Sequence, residues 1–359
     1  MTPLRSLVVA AGLAAVAGST LVPVAATPAL VPASVANDDV RWVDVGTGTD
    51  EQYRALDAVK RRVAWVAGED GGILHTRNGG RTWRDLSPRR FSDFTFRDIE
   101  ATGPGRASVL AIGPGTDSRI FTTRNGGRLW TTAFVNREPA AFYNCMDFWA
   151  GGRRGLAVSD PVDGKFRILR TTDAGMSWSV VPPRGMPAAV EGEFNFAASG
   201  TCLVTKGKSR AYMVSGGAAS RVFRSPDGGR TWLVTDAPLP PSDAGGVFSV
   251  AFRSLRRGGV VGGDFTAPEA RPVTGITRSF GRAWTRTGRT HGYRSGVTFR
   301  PGHPRVVIAV GPTGTDLSRD GGRTWTLVDR TAFDGVECTV AGACWASGPD
   351  GGVGRLRWR

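Results

Sequence analysis

One phrase recurs along this chain and limits what it can fold into: Ser318-Arg319-Asp320-Gly321-Gly322-Arg323-Thr324-Trp325. Close copies begin at Thr76, Thr123, Thr171 and Ser225, and a degenerate copy, Thr277-Arg278-Ser279-Phe280-Gly281-Arg282-Ala283-Trp284, begins at Thr277. Each copy has the chemistry of a tight hairpin. The Asp or Asn side chain caps its own turn, glycine supplies positive φ, and a Trp opens the outgoing strand as an apolar anchor. Spacings run from 41 residues (Ser279 to Asp320) to 54 (Asp173 to Asp227). Regular repetition at that period, with short apolar runs bounded by Gly and Pro and no sustained helical periodicity, predicts an all-β fold, a β-propeller with one blade per copy.

Reading backward from each turn supplies the other strands. Residues 53–59, 96–101, 144–149, 198–205, 247–252 and 294–299 read as inner strands of six blades. The tail holds a seventh without the turn: Ala343-Cys344-Trp345-Ala346-Ser347-Gly348 echoes Val63-Ala64-Trp65-Val66-Ala67-Gly68. Its missing outer strand is expected from the other end of the chain, where Arg41-Trp42-Val43-Asp44-Val45 matches Thr324-Trp325-Thr326-Leu327-Val328. The N-terminal strand would then complete the last blade and remove an open sheet edge.

The start of the chain reads as an export signal: Arg5, then an apolar Ala/Val/Leu segment, then Ser34-Val35-Ala36 as a cleavage site. Residues 1–36 are thus expected to be removed, leaving 37–359 as one propeller domain, secreted or held in the cell envelope, monomeric and without a membrane-spanning segment. Export permits disulfides. Cys338 and Cys344 flank Thr339-Val340-Ala341-Gly342-Ala343 and are expected to face each other across a hairpin, whereas Cys145 and Cys202, in equivalent strands of neighbouring blades, are a possible second pair. Neither spacing suits zinc, and His75, His291 and His303 are too scattered to complete a site, so no metal is expected.

The formal net charge is +15, from 46 Lys and Arg of which only Lys60, Lys165, Lys206 and Lys208 are lysine. The arginines are spread round the repeat turns, as at Arg77, Arg81, Arg124 and Arg128. That balance suits an anionic partner, and an exported chain without a basic run interleaved with aromatics disfavours nucleic acid.

The six turns resemble the Asp-box, or bacterial-neuraminidase, repeat. In propellers of that kind the Asp-box turns share one face, and binding residues lie on the opposite loops. The resemblance therefore directs attention to Arg54, Arg97, Tyr143, Asn144, Lys165, Asn195, Tyr293 and Arg294 as ligand-binding candidates. Asp160, Glu193 and Asp264 are the candidate acids for glycoside cleavage, which needs one carboxyl to protonate the leaving oxygen and another to assist at the ring carbon. Arg54, Arg97 and Arg294 could grip a carboxylate as an arginine triad does in sialidases. Tyr53-Arg54-Ala55-Leu56 stands where sialidases carry Tyr/Phe-Arg-Ile-Pro but lacks the Ile-Pro, and no Tyr-Glu nucleophile pair is recognisable.

Over its length the chain is more similar to photosystem II assembly/stability factor-like propellers and to exported WD40/YVTN/BNR-like repeat proteins. Arg54-Ala55-Leu56, Ala64-Trp65-Val66-Ala67-Gly68 and the Asn/Asp-Gly-Gly-Arg-Thr-Trp turns carry that likeness. It implies a scaffold that holds a partner on its loop face, a protein or an anionic glycan or cell-wall polymer, without catalysis or a cofactor. A secreted glycoside hydrolase of sialidase-like architecture is the alternative. An oxidoreductase is weaker, since no dinucleotide loop or haem motif is present.

Overall fold

In the computed structural model, which describes residues 40–103 and 105–358, seven antiparallel sheets form the blades of a propeller. Blade one shows the plan, with Tyr53–Lys60 innermost, then Val63–Gly68, Ile73–Thr76 and the outer Arg84–Asp85. The inner strands of blades two to seven are Thr95–Gly103, Tyr143–Phe148, Leu203–Lys206, Ser242–Phe252, Gly296–Phe299 and Gly335–Cys338. Because neighbours in each blade are antiparallel, the first-to-second and third-to-fourth connections share one end of the ring, here called the turn face. Connections between second and third strands, and between blades, share the other, the loop face. The predicted export segment lies outside the described residues.

The ring closes as the sequence implies. Val40–Asp44 pairs with Val353–Trp358 in the register Trp42 to Leu356 and Asp44 to Gly354, supplying the outer strand of blade seven. Trp42 donates through its indole N–H to Thr315 Oγ1 of blade six at 2.9 Å and tilts against Phe333 at 5.1 Å. Three repeat tryptophans act alike: Trp83 donates to Val45 O at 2.9 Å, Trp130 to Leu86 O at 3.2 Å and Trp325 to Thr274 Oγ1 at 3.0 Å, whereas Trp232 bonds Gly229 O of its own turn. Each of the three fills the seam to the preceding blade and satisfies the one polar atom its ring brings with it.

The repeat turns are built alike. Asn78 Oδ1 accepts from Thr82 N at 3.0 Å while Thr76 Oγ1 accepts from Gly80 N at 2.9 Å. Asp227 and Asp320 repeat this with Thr231 N at 2.9 Å and Thr324 N at 3.0 Å. Gly80 sits at φ +80°, and a Cβ there would meet the Val45 side chain at 2.5 Å. Even the degenerate turn holds, with Ser279 Oγ accepting from Ala283 N at 3.0 Å and Phe280 forced to φ +61° where a glycine would be at ease.

Both disulfides are formed. Cys338 and Cys344 stand directly opposite in a hairpin, and Cys145 joins Cys202 from the inner strand of blade three to the approach of blade four. One local expectation is corrected. The inner strand of blade four begins at Leu203, not Ala198, because Gly200 turns at φ +76° and the Ser199 and Thr201 hydroxyls bond to Ser295 O of blade six and Ser249 Oγ of blade five instead. Blade five carries a two-stranded ribbon, Glu193–Phe194 with Gly216–Gly217, laid on its channel side at the loop-face end.

Removing residues 40–45 should lower the melting temperature by many degrees. Trp42→Ala alone should cost about 2–3 kcal/mol, below a fully buried tryptophan because Trp42 is only half-buried. Urea unfolding measures both, and a truncated chain that melts like the full one would contradict closure by this strand.

Candidate functional site

At the loop-face mouth of the channel, side chains from blades one and two and from two inter-blade loops meet. Arg54 and Arg97 begin adjacent inner strands, so their side chains leave at the same end of the ring. Both reach Glu69, on the turn after the second strand of blade one, with Arg54 Nε at 3.0 Å and Arg97 Nη1 at 2.5 Å from Oε1. Arg54 Nη1 also lies 3.4 Å from Asp334, on the loop into blade seven, whose other oxygen accepts from Gln52 at 2.8 Å. Burial and the neighbouring Arg54 charge weaken the hold of Arg97 on its proton, and its Nε is buried without a partner among the described residues. Tyr293 reaches the same cluster from the loop into blade six. Burial raises its hydroxyl pKa well above the ordinary value, with the charges of Arg54, Asp334 and Arg97 also acting on it.

Aromatic rings continue this mouth toward blade five. Phe196 stacks on Phe248 at 3.7 Å, Tyr293 meets Phe248 edge-on at 4.6 Å, and Phe194 packs on Phe196 at 5.0 Å. Phe265 completes the group with 52% of its surface exposed, a large cost for a phenyl ring unless something covers it. The ribbon that carries Phe194 had no periodicity to announce it, since its strands are two residues each.

The other sequence candidates are placed apart. Arg294 is fully buried, its Nε 2.8 Å and its Nη2 2.7 Å from Asp316, whose Oδ1 takes the His291 ring N–H at 2.6 Å. Glu193 is enclosed by Val190 N at 2.9 Å, Ser215 Oγ at 2.5 Å and the Arg221 guanidinium. Asp264 caps its own turn, accepting from Ser242 Oγ at 2.6 Å and Thr266 N at 2.9 Å, and these bonds hold its carboxyl below the usual range. Asp160 sits within a strand, Gly155–Val162, and not in a loop, because Asp163 and Gly164 at φ +51° and +71° form a two-residue hairpin after it. Its Oδ1 accepts from Asn144 Nδ2 and Asn195 N, both at 2.9 Å, and burial pushes its pKa up to about 6. Asn195 spends its amide N–H on Val214 O at 2.6 Å, Tyr143 is buried with its pKa pushed up to about 12, and Lys165 reaches Pro183 O at 3.4 Å. The three candidate acids are thus held by three separate donor sets. Among the described residues, no group of three or more His, Cys, Asp or Glu is placed to hold a metal ion.

Sequence reasoning missed the acids inside the channel. Asp98 Oδ2 accepts from Met146 N at 2.6 Å and Glu337 Oε2 from Ala58 N at 2.5 Å, while Asp57 and Asp147 take Ala101 N and Thr205 N. Each carboxyl belongs to one inner strand and its donor to the next. Burial, then repulsion from neighbouring carboxylates, pushes Asp57 up to about 7 and Asp98, Glu100 and Glu337 well above the ordinary range, while burial alone pushes Asp147 up to about 6. Asp98, Glu100, Asp147 and Glu337 line a cavity of about 570 Å³ that opens among the C-terminal ends of the inner strands, on the turn face. Its signal was an acid in the inner strands of four of the seven blades, Asp57, Asp98, Asp147 and Glu337.

No family model matches this chain, and no curated protein matches it. Solved structures do share its fold. A structure described as YCF48 bound to D1 peptide is 15% identical with a TM-score of 0.61, covering 88% of this chain and 94% of that one. YCF48 from Cyanidioschyzon merolae is 16% identical, TM-score 0.61, covering 88% and 98%. The GH74 xyloglucanase of Xanthomonas campestris is 15% identical, TM-score 0.61, covering 87% of this chain and 52% of that enzyme. The likeness expected from the repeat turns therefore holds at the level of the fold, a seven-bladed propeller.

The channel acids set the sign of the pH dependence. Each holds its proton more tightly folded than unfolded, where Asp titrates near 3.9, so the native state binds more protons and stability falls as pH rises toward and through about 7. His75 acts oppositely: burial lowers it to about 4, so its contribution grows as pH rises to its unfolded value near 6.5 and is constant above that. The melting temperature should therefore fall between about pH 6.5 and 8, and Asp57→Asn should reduce the fall. Calorimetry across that range checks it; a melting temperature that rises would contradict the assignment.

Proposed function

We propose that this protein is an exported binding propeller that holds a polypeptide segment at its loop-face channel mouth and does not turn it over. The observation that carries this reading is the mouth itself, where Arg54, Arg97 and Tyr293 adjoin an aromatic platform ending in exposed Phe265. Half-buried guanidiniums with an unspent donor suit a carboxylate or backbone carbonyl, and exposed rings suit apolar side chains beside it. The neighbour described as bound to a D1 peptide shows that a ring of this fold can hold a peptide, which supports the reading without naming the partner. In this reading the repeat turns are Asp-boxes, residues 1–36 direct export, and 37–359 work as a monomer. Two disulfides, and the lack of any described helix long and apolar enough to cross a membrane, are consistent with an extracytoplasmic location.

A second reading rests on Asp160. A carboxyl with pKa about 6 has the character of a general acid, so a glycoside hydrolase with Asp160 as proton donor is the alternative. Among the described residues its carboxylate accepts from Asn144 and Asn195, and the other candidate acids, Glu193 and Asp264, are held by donors of their own.

Two measurements separate the readings. Peptides selected from a displayed random library should bind the protein, and Arg97→Gln or Phe265→Ser should weaken them by tenfold or more, about 1.4 kcal/mol. Xyloglucan, sialosides and aryl glycosides should be released unchanged. Hydrolysis that Asp160→Asn abolishes would overturn the scaffold reading, and selection of acidic glycans in place of peptides would change the partner class.

A further inference from the structure

The two faces of the ring treat their charge differently. On the loop face five guanidiniums have carboxylate partners: Arg54 and Arg97 with Glu69, Arg167 with Glu138, Arg221 with Glu193 and Arg294 with Asp316. On the turn face they crowd one another. The turns between first and second strands carry Arg61-Arg62 in blade one, Arg153-Arg154 in blade three and Arg256-Arg257 in blade five, with no acid in any of the seven such turns. None of these six has a carboxylate partner among the described residues. The crowding is visible in their neighbours. Arg253 is disfavoured as a cation by burial and then by Arg257, Arg278 and Arg305, and Arg355 by burial and then by Arg357, Arg61, Arg62 and Arg81. The acids of the repeat turns, such as Asp227 and Asp320, are spent on their own turns.

The same face exposes apolar side chains at turn tips. Val340 is 95% exposed at the hairpin tip of blade seven, Leu129 58% in the repeat turn of blade two, and Leu255 39% beside Arg256 and Arg257. Single exposed apolar side chains are ordinary on a protein surface, but these three share the face that carries the crowded arginines.

We propose that the turn face docks on an anionic lipid bilayer, with the arginine pairs of blades one, three and five on the phosphodiester headgroups and Val340, Leu129 and Leu255 entering the interface. A bilayer, more than a linear polyanion, fits because the charges are distributed round a ring and not along one groove, and because a soluble polymer would leave the apolar tips bare. Unpaired guanidiniums bind phosphate bidentately without first breaking an internal ion pair. The contact is interfacial, built from turn tips and charge rather than a spanning element. It leaves the loop face directed away from the membrane and free to hold a partner, so it stands independently of the peptide-binding reading.

Vesicle co-sedimentation of the full chain tests this. Binding to phosphatidylglycerol-containing vesicles should exceed binding to pure phosphatidylcholine and fall as salt is raised past about 0.1 M, where screening acts within roughly 10 Å. Arg61→Glu with Arg62→Glu, and Arg256→Glu with Arg257→Glu, should each weaken it, by about fivefold or more per arginine. Val340→Asp should weaken it further at constant arginine content. The same charge change on the loop face, Arg89→Glu with Arg137→Glu, should leave more binding than either turn-face pair, and melting curves establish that each variant is folded. Equal loss from both faces would reduce the effect to net charge and overturn the proposal. So would equal binding to phosphatidylcholine, or capture of soluble polyphosphate without sedimentation on vesicles, which would assign the face to a linear polyanion.

Discussion

The fold depends on how each blade is tied to the next at the channel. An inner strand has one edge in its own sheet and one facing its neighbour, where backbone N–H groups need partners. Here the partner comes from the preceding blade. Asp57, Asp98 and Asp147 reach Ala101, Met146 and Thr205, and Glu337 reaches Ala58 across the junction where the ring closes. Thr201 O and Ser249 Oγ serve Val250 N and Val297 N at 3.1 and 3.0 Å, and Ser295 Oγ donates to Asp334 O at 2.7 Å. All seven junctions are bridged. A bond from an ionised carboxylate is strong, but crowding several in one channel raises their proton affinity, so the ring is held by groups poised between charged and neutral.

That inner tie fixes where chemistry is possible. Because the acids are spent between blades, the channel wall is committed to structure, and recognition falls to the two ends. At the loop end, connections of irregular length bring Asp334, Tyr293 and Glu69 to Arg54 and Arg97, and the ribbon beside blade five adds aromatic surface. At the turn end the connections are short and repetitive, so what varies is charge, and arginine from one blade lies beside arginine from the next. The loop end sets paired arginines beside aromatic rings; the turn end carries crowded arginines and exposed apolar tips. The two readings proposed above each draw on one of these ends.

Much of the fold was legible because it is periodic. The turn residues are local, so Asp320 or Asn125 announces its hairpin without knowledge of distant contacts, and the echo between Trp65 and Trp345 located the seventh blade. Closure by Trp42 was readable because the N-terminal strand repeats an outer-strand pattern. The site was less legible, since loops carry no period. Arg54 and Arg97 were found from their place at the start of inner strands. Arg294, expected at the same place, is consumed by Asp316, a residue on the third strand of the same blade that spacing alone does not pair with it. The short ribbon carrying Phe194 and the irregular start of blade four escaped for the same reason, as each is decided by contacts with another blade.

Backbone amide exchange tests the inter-blade tie most directly. In the native protein the Met146 amide, held by Asp98 across a blade junction, should exchange as slowly as Leu156, an amide within blade three. In Asp98→Ala the Met146 amide should exchange far faster while Leu156 stays protected. Unchanged protection at Met146, or equal loss at both sites, would contradict the account that these carboxyls hold one blade to the next.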